Sequence, residues 1–414
     1  MYKLNYELFI AKRIIAAKQY KSSISSPIIK IAIIAIAIGI VIMMIAVATG
    51  IGLQQKIREK ISGFNGHIQI TNFDNNYSEI TLKPVSKNQD FYPEFKTIDE
   101  IKNVQVFATK AGIIRTETDF EGIIFKGVSN DYDWSFFEGY LVDGVLPDYT
   151  NEISFEVLIS NEISNRLKIN LGDEFNVLFV KEDASKAPWL RVVTVVGIYN
   201  SGFQDFDENF VISDIRHIQK MNKWDEDEVG GFEVFINDFD AIEEKSSQVY
   251  EQTASTLNSQ SVIEKYPAIF EWIGLFDNNI YLIIVIMILV AGINMITALL
   301  VLILERTQMV GILKALGSTN VSVRKVFLYN ASYLIIRGLF WGNLIGLAIL
   351  YTQKYFELIT LNPETYYVNT VPIYIDFRYL ILLNIGTLVL CLLMLIIPSI
   401  VISKISPVKA IKFE

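Results

Sequence analysis

Residues 280–304 read IYLIIVIMILVAGINMITALLVLIL, 25 consecutive residues without a charge, and residues 305–318 follow at once as ERTQMVGILKALGS. A bilayer hydrocarbon core about 30 Å thick is crossed by about 20 apolar residues of helix rising ~1.5 Å each. The first stretch therefore predicts a membrane-spanning helix that stops at a charged boundary. Three more stretches meet the same test. Ile31–Leu53 and Tyr379–Ile402 carry no charge, and Phe327–Tyr351 carries one, Arg337. The chain is 51% hydrophobic, close to a soluble protein, so it is the distribution of apolar residues that decides the class.

The flanks predict orientation. Lys3, Lys12, Arg13, Lys18, Lys21 and Lys30 stand before the first span against Glu7. Arg306, Lys314, Arg324 and Lys325 lie between the second and third against Glu305, and Lys404, Lys409 and Lys412 follow the fourth. An excess of Lys and Arg marks the cytoplasmic side. Residues 54–279 instead hold 20 Lys and Arg against 39 Asp and Glu, a net charge of −19 in a chain of −9 overall. The acidic middle belongs outside and both termini inside, which excludes nucleic-acid binding on sign and location together.

The expected division is therefore an amphipathic N-terminal helix on the cytoplasmic face (1–26) and a first span (27–53), followed by a large extracytoplasmic domain (54–279) of two subdomains. Then come a second span (280–304), a cytoplasmic loop (305–324), a third span (325–353), a short outer loop (354–376), a fourth span (377–402) and a cytoplasmic tail (403–414). Leu4, Leu8, Ala11 and Ile15 form the apolar face of the first helix. The first span is too long for a signal peptide and lacks a small-residue cleavage pattern, so it reads as a retained anchor.

Within the outer domain, His67–Thr71, Gly122–Gly127 and Arg191–Ile198 alternate like strands. Ser160 is placed to cap a helix through Leu167, Asp240–Ser255 reads as an exposed helix, and Leu171-Gly172-Asp173 reads as a turn. Strands mixed with helices predict an α+β domain. A single cysteine, Cys391, and two distant histidines, His67 and His217, offer no disulfide, no zinc spacing and no nucleophile motif. No metal site and no catalytic residues are expected.

After the second span, Met309, Ile312, Leu313 and Leu316 fall at i, i+3, i+4 and i+7, one apolar face of a short helix. Gly317 is placed to stop it. Such a helix either rests on lipid or docks in a partner's groove. In the third span Gly338, Gly342 and Gly346 recur every fourth residue, permitting close helix approach at a dimer seam or inside the bundle. Arg337, about ten residues inside that span, calls for protein, water or a lipid phosphate, with Asn294 a candidate partner, or else snorkels along its helix. Met43 and Met44 put flexible, polarizable side chains in the first span.

Several of these stretches together resemble the lipoprotein-releasing permeases of the LolC/LolE type, within the MacB/FtsX superfamily of ABC transporter permeases. Leu8-Phe-Ile-Ala-Lys-Arg13 resembles the family's opening, Ile61–Ile68 its entry strand and Asn294-Met-Ile-Thr297 its second span. Glu305 through Gly317 is similar to its coupling segment, and Ile405–Glu414 to its closing Pro-x-x-Ala-Leu-Arg-x-Glu. Tyr366, Tyr367, Val371 and Pro372 are similar to the segment before its last span.

The resemblance implies one span, a large outer domain, then three spans, in a bacterial inner membrane. It implies that Glu305, Arg306, Met309, Ile312, Leu313, Leu316 and Gly317 couple to a cytoplasmic ATPase present in two copies, beside a second permease chain, identical or homologous. No G-x-x-x-x-G-K-[ST] occurs, so ATP and Mg belong to that partner and this chain carries no cofactor of its own. The implied substrate is an acylated lipoprotein handed to a periplasmic carrier. Ile42, Met43, Met44, Ile45 and Asn294 are the expected lipoprotein contacts. Ala187, Pro188 and Trp189, in a loop shorter than the family's carrier-binding hairpin, are the expected carrier contacts. A MacB-like efflux permease, or an FtsX-like regulator of a cell-wall hydrolase, is the alternative.

Overall fold

The computed structural model describes residues 6–16, 25–75, 78–116, 119–181 and 187–406. Its helices, in chain order, are α1 (Tyr6–Ala16), α2 (Ser25–Asn65), α3 (Ser135–Glu138), α4 (Asn161–Leu167), α5 (Gln204–Asp207), α6 (Ile215–Asn222), α7 (Ile242–Gln252), α8 (Val262–Lys265), α9 (Pro267–Glu305), α10 (Thr307–Ala315), α11 (Asn320–Phe356), α12 (Pro363–Tyr366) and α13 (Phe377–Ile396). The strands are β1 (Ile68–Asn72), β2 (Val85–Ser86), β3 (Ile101–Arg115), β4 (Phe120–Val128), β5 (Leu141–Gly144), β6 (Glu156–Ser160), β7 (Glu174–Phe179), β8 (Trp189–Tyr199), β9 (Phe210–Asp214), β10 (Glu228–Val229), β11 (Gly231–Ile236) and β12 (Leu257–Ser261). The chain forms two compact units, one of residues 1–54, 273–359 and 371–414, the other of residues 55–272 and 360–370.

The first unit holds the four apolar runs. Among the described residues, four helices are long and apolar enough to cross a membrane, and they contain the four stretches read from sequence. α2 and α9 run well beyond those stretches: α2 continues 12 residues past Leu53, and α9 begins 13 residues before Ile280. The compact boundary thus falls at 272/273, not at 279/280. The bundle core joins Ile36, Ile40, Met43 and Met44 of α2 to Met295 and Leu299 of α9, Phe327 and Leu339 of α11, and Cys391 and Leu395 of α13.

The three glycines of α11 explain how closely two of these helices approach. A Cβ on Gly342 would lie 1.8 Å from Ile40 Cγ2 and 2.8 Å from the Ala37 carbonyl. One on Gly338 would lie 2.7 Å from Ile36 Cβ, and one on Gly346 would lie 3.0 Å from Met44 Sδ. The ridge therefore seats α11 on α2 inside the chain. α1 differs from its expected lipid-facing pattern: it buries Ala11 and Ile14 against Val326 of α11, while Leu8 is 40% exposed. Leu4 and the Ile15 side chain lie outside the described residues.

The second unit is built on a mixed sheet. Its pairing order is β12-β1-β11-β3-β4-β9-β6-β8-β5, and β7 pairs with both β3 and β8. Strands β3, β4, β9, β6, β8 and β7 therefore close into a ring, with β4/β9 and β6/β8 parallel and the other pairs antiparallel. Closure removes the exposed edges those strands would otherwise present. Ile114, Phe125, Val177, Phe179, Val193 and Val211 alternate inward and are fully buried. Ser160 caps α4, accepting from Ile163 N at 3.0 Å, as its position predicts. Gly172 takes φ +84 at the turn into β7. α7 is not wholly exposed, because Ile242 and Val249 are buried.

Candidate coupling helix and contact faces

α10 is formed by the Met309–Leu316 repeat, and its end is set by Gly317 at φ +95, a conformation that favours glycine. Arg306 N–H and Val310 N–H take the carbonyls of Leu302 and Arg306, so the helix follows α9 almost without a break. Its inner side is Val310, fully buried, with Gly311 beside it. Lys314 fixes the other side: its ammonium donates to the carbonyls of Ile402 at 2.6 Å and Ile405 at 2.9 Å, at the end of the fourth span.

This geometry divides the expected apolar face. Met309 and Leu313 pack against the bundle core, whereas Ile312 is 46% and Leu316 79% exposed. Sequence periodicity alone could not see that Val310 and Gly311 would claim the inner side. Glu305 is exposed and Arg306 half-buried at the helix start.

The membrane-facing candidates divide as well. Met43 and Met44 are buried in the bundle, Ile42 is 36% exposed, and Ile45 is partly buried. Asn294 donates to Val290 O of its own helix at 2.9 Å. Arg337 is exposed, and its guanidinium carbon lies 4.8 Å above the Tyr333 ring. Gly338 packs at the level of Ile36. Arg337 thus stands only about five residues, ~7.5 Å of helix, beyond Lys30 of α2, nearer the basic end of the bundle than counting along α11 implies.

In the outer unit, Ala187 and Pro188 are exposed and Trp189 half-buried at the start of β8; residues 182–186 lie outside the described residues. The Lys181 ammonium sits 4.3 Å over the Trp189 ring. Beside this hairpin the outward sheet face is apolar, which the sequence reading did not find. Ile113 pairs Leu178, and Leu178 pairs Leu190, in one row. Val180, Val192 and Phe120 are 62%, 45% and 80% exposed. A shallow groove of about 510 Å³ runs over Ile113, Gly122 and Leu178. The signal was present as Leu178/Val180 and Leu190/Val192, apolar residues on the outward face where β7 ends and β8 starts.

The histidines are structural. His217 Nε2 lies 2.8 Å from Ser154 O, and burial lowers its pKa. His67 Nδ1 accepts from Ile236 N at 3.3 Å; burial, with Lys102 nearby, pushes its pKa down to about 4. No group of three or more potential metal-ligating side chains occurs among the described residues.

Comparison with known families adds two matches. The MacB-like periplasmic core domain matches residues 31–256, and the FtsX-like permease C-terminal region matches residues 281–407. The chain belongs to the MacB/FtsX superfamily of ABC transporter permeases. Within it, this permease is similar to proteins of the LolC/LolE type. The lipoprotein-releasing system transmembrane protein LolC of Haemophilus influenzae is 25% identical over 81% of this chain and 85% of its own. The LolE protein of the same organism is 18% identical over 99% of both chains. The periplasmic region of MacB from Actinobacillus actinomycetemcomitans covers 52% of the permease and 98% of its own chain, at 17% identity and a TM-score of 0.34.

These relatives are permease subunits of ABC transporters, which are not themselves catalytic and carry no cofactor. They imply a separate ATPase and a second permease. A multi-pass inner-membrane protein with a MacB-like outer domain fits this membership.

Proposed function

We propose that this permease extracts acylated lipoproteins from the outer leaflet of the inner membrane and passes them to a periplasmic carrier, driven by an ATPase bound on its cytoplasmic side. Similarity to LolC over four-fifths of the chain carries this reading. The ATPase docks on the outward residues of α10, Ile312 and Leu316, while Lys314 ties that helix to the fourth span. Movement imposed at α10 then reaches the bundle through main-chain carbonyls at the end of the fourth span. The excess of Lys and Arg in the flanks supports a reading with both termini and α10 in the cytoplasm and the acidic domain in the periplasm.

The lipoprotein contacts are the outward residues of α2, Ile42 with Ile38, more than Met43 and Met44, which pack inside. The carrier contacts are Ala187, Pro188 and Trp189 together with the apolar groove beside them. The test is ATP-dependent transfer of a triacylated lipoprotein from proteoliposomes, containing the permease, its partner permease and the ATPase, to a soluble carrier. Transfer supports the proposal. No transfer, with ATP turnover stimulated by an exported peptide, supports a MacB-like efflux permease. That second reading is favoured by the match of residues 31–256 to the MacB-like core domain.

A further inference from the structure

The eleven residues TLNPETYYVNT (360–370), between the third and fourth spans, form an ordered strap. Thr360 and Thr370 pair as an antiparallel bridge, and Leu361 N donates to Asn369 O at 2.8 Å, closing its base. α12 crosses its tip, and Tyr367 follows at φ +58. Within the short outer loop expected at 354–376, this stretch belongs to the same compact unit as residues 55–272.

Its seat is specific. The Tyr367 ring stacks on Phe203 at 4.8 Å and 19°, and meets Trp272 edge-on at 5.9 Å. The ammonium of Lys60, on the outer part of α2, donates to the Tyr367 carbonyl at 2.9 Å. Lys60 is 4% exposed, so its charge has been withdrawn from water and held at that carbonyl. The Tyr140 ring centroid lies 5.4 Å from the same ammonium. Gly202 makes room: at φ +65, a Cβ there would lie 3.0 Å from Lys60 Nζ and 3.4 Å from Asn369 Oδ1. Buried Asp207 holds the Gly202 loop in place, accepting from Ser201 Oγ at 2.6 Å and Gly202 N at 2.9 Å.

We propose that the 360–370 strap is a third covalent link, beside α2 and α9, through which the spans move the outer domain, and that Lys60 is the positioning residue that fastens it. An apolar contact alone would let Tyr367 slide over Phe203, because dispersion is not directional. A buried ammonium on one carbonyl fixes the register, since leaving either group unpaired in that site is costly. The role in transport rests on the proposed function; the fastening does not.

The test is amide hydrogen exchange on the full chain with its ATPase in nanodiscs, without substrate. Lys60→Met is expected to speed exchange in peptides covering 360–370 at least tenfold while β3 and β4 stay protected, and Lys60→Arg is expected to restore protection. Tyr367→Asn, which tolerates the positive φ, keeps the Cβ and removes the ring, is expected to speed the same peptides and covers the case in which Lys60→Met fails to fold. Unchanged strap protection in both variants overturns the proposal, as does equal loss of protection across β3 and β4. In transfer assays, Lys60→Met is expected to lower transfer at least fivefold while ATP turnover continues; unaltered transfer overturns the link. Absence of transfer in the unsubstituted chain bears on the proposed function and leaves the exchange result standing.

Discussion

Asn343 of α11 and Asn384 of α13 exchange amide hydrogen bonds. Asn343 Nδ2 donates to Asn384 Oδ1 at 2.6 Å, and Asn384 Nδ2 donates to Asn343 Oδ1 at 2.9 Å. Each amide gives its other hydrogen to its own helix, Asn343 to Leu339 O and Asn384 to Leu380 O. Both donors are thereby satisfied where hydrocarbon offers no partner. Replacing Asn384 with Leu leaves Asn343 half-paired and is expected to cost about 1–2 kcal/mol. The double Asn343→Leu/Asn384→Leu chain should recover part of that loss. A double-mutant cycle of bundle unfolding in detergent reads the coupling, and additive losses would refute the pairing.

The glycine ridge gives a graded prediction. An alanine methyl at 342 meets the Ile40 branch and a main-chain carbonyl, neither of which can withdraw, so Gly342→Ala is expected to cost about 2–3 kcal/mol. At 346 the neighbour is the flexible end of Met44, and Gly346→Ala is expected to cost under about 1 kcal/mol. Thermal unfolding of the two variants in detergent checks the order. A reversed order would mean that α11 does not lie on α2 along this ridge.

Acid should loosen the start of the outer domain. His67 accepts Ile236 N–H only when its ring is neutral, and burial holds its pKa down to about 4. The unfolded ring titrates near 6.5, so between about 6.5 and 4 the unfolded state binds the extra proton. The stabilisation is full above pH 6.5 and is lost as pH falls toward about 4, up to about 3 kcal/mol in all. Exchange protection at β1 and β11 in the full chain should fall over that window, and His67→Gln should flatten the fall.

A buried ion pair gives the largest expected loss. Lys126 Nζ lies 2.7 Å from Glu233 Oε1; Gln105 Nε2 donates to Glu233 Oε2 at 2.9 Å, and Lys126 also donates to Phe64 O. Both charged groups are essentially inaccessible. Lys126→Met leaves a buried carboxylate unpaired and should cost about 3–5 kcal/mol. Lys126→Met/Glu233→Met should recover most of it, as read by the unfolding midpoint of the full chain.

Much of this architecture was legible because it rests on long uniform signals. Four charge-poor stretches located the helices that can cross a membrane, and the Ser160 cap and the Gly172 and Gly317 turns needed only local chemistry. What escaped depends on neighbours distant in sequence. Nothing in Val310-Gly311 shows that they would face the bundle and leave Ile312 and Leu316 outside. The ring closure through β7 depends on pairing with β3 some sixty residues earlier. Lys60 reads as one more charge after a span, and only the fold brings it to Tyr367.

The central claim is that an ATPase docked on the outward face of α10 drives lipoprotein release. The most direct measurement is the rate of ATP-dependent lipoprotein transfer to a carrier by the Ile312→Glu/Leu316→Glu chain against the unsubstituted one, with expression and thermal unfolding matched. The account predicts at least a tenfold loss of transfer and loss of ATPase co-purification, while Gln308→Ala, on the same exposed side, leaves both unchanged. Full transfer by the doubly charged chain would contradict it.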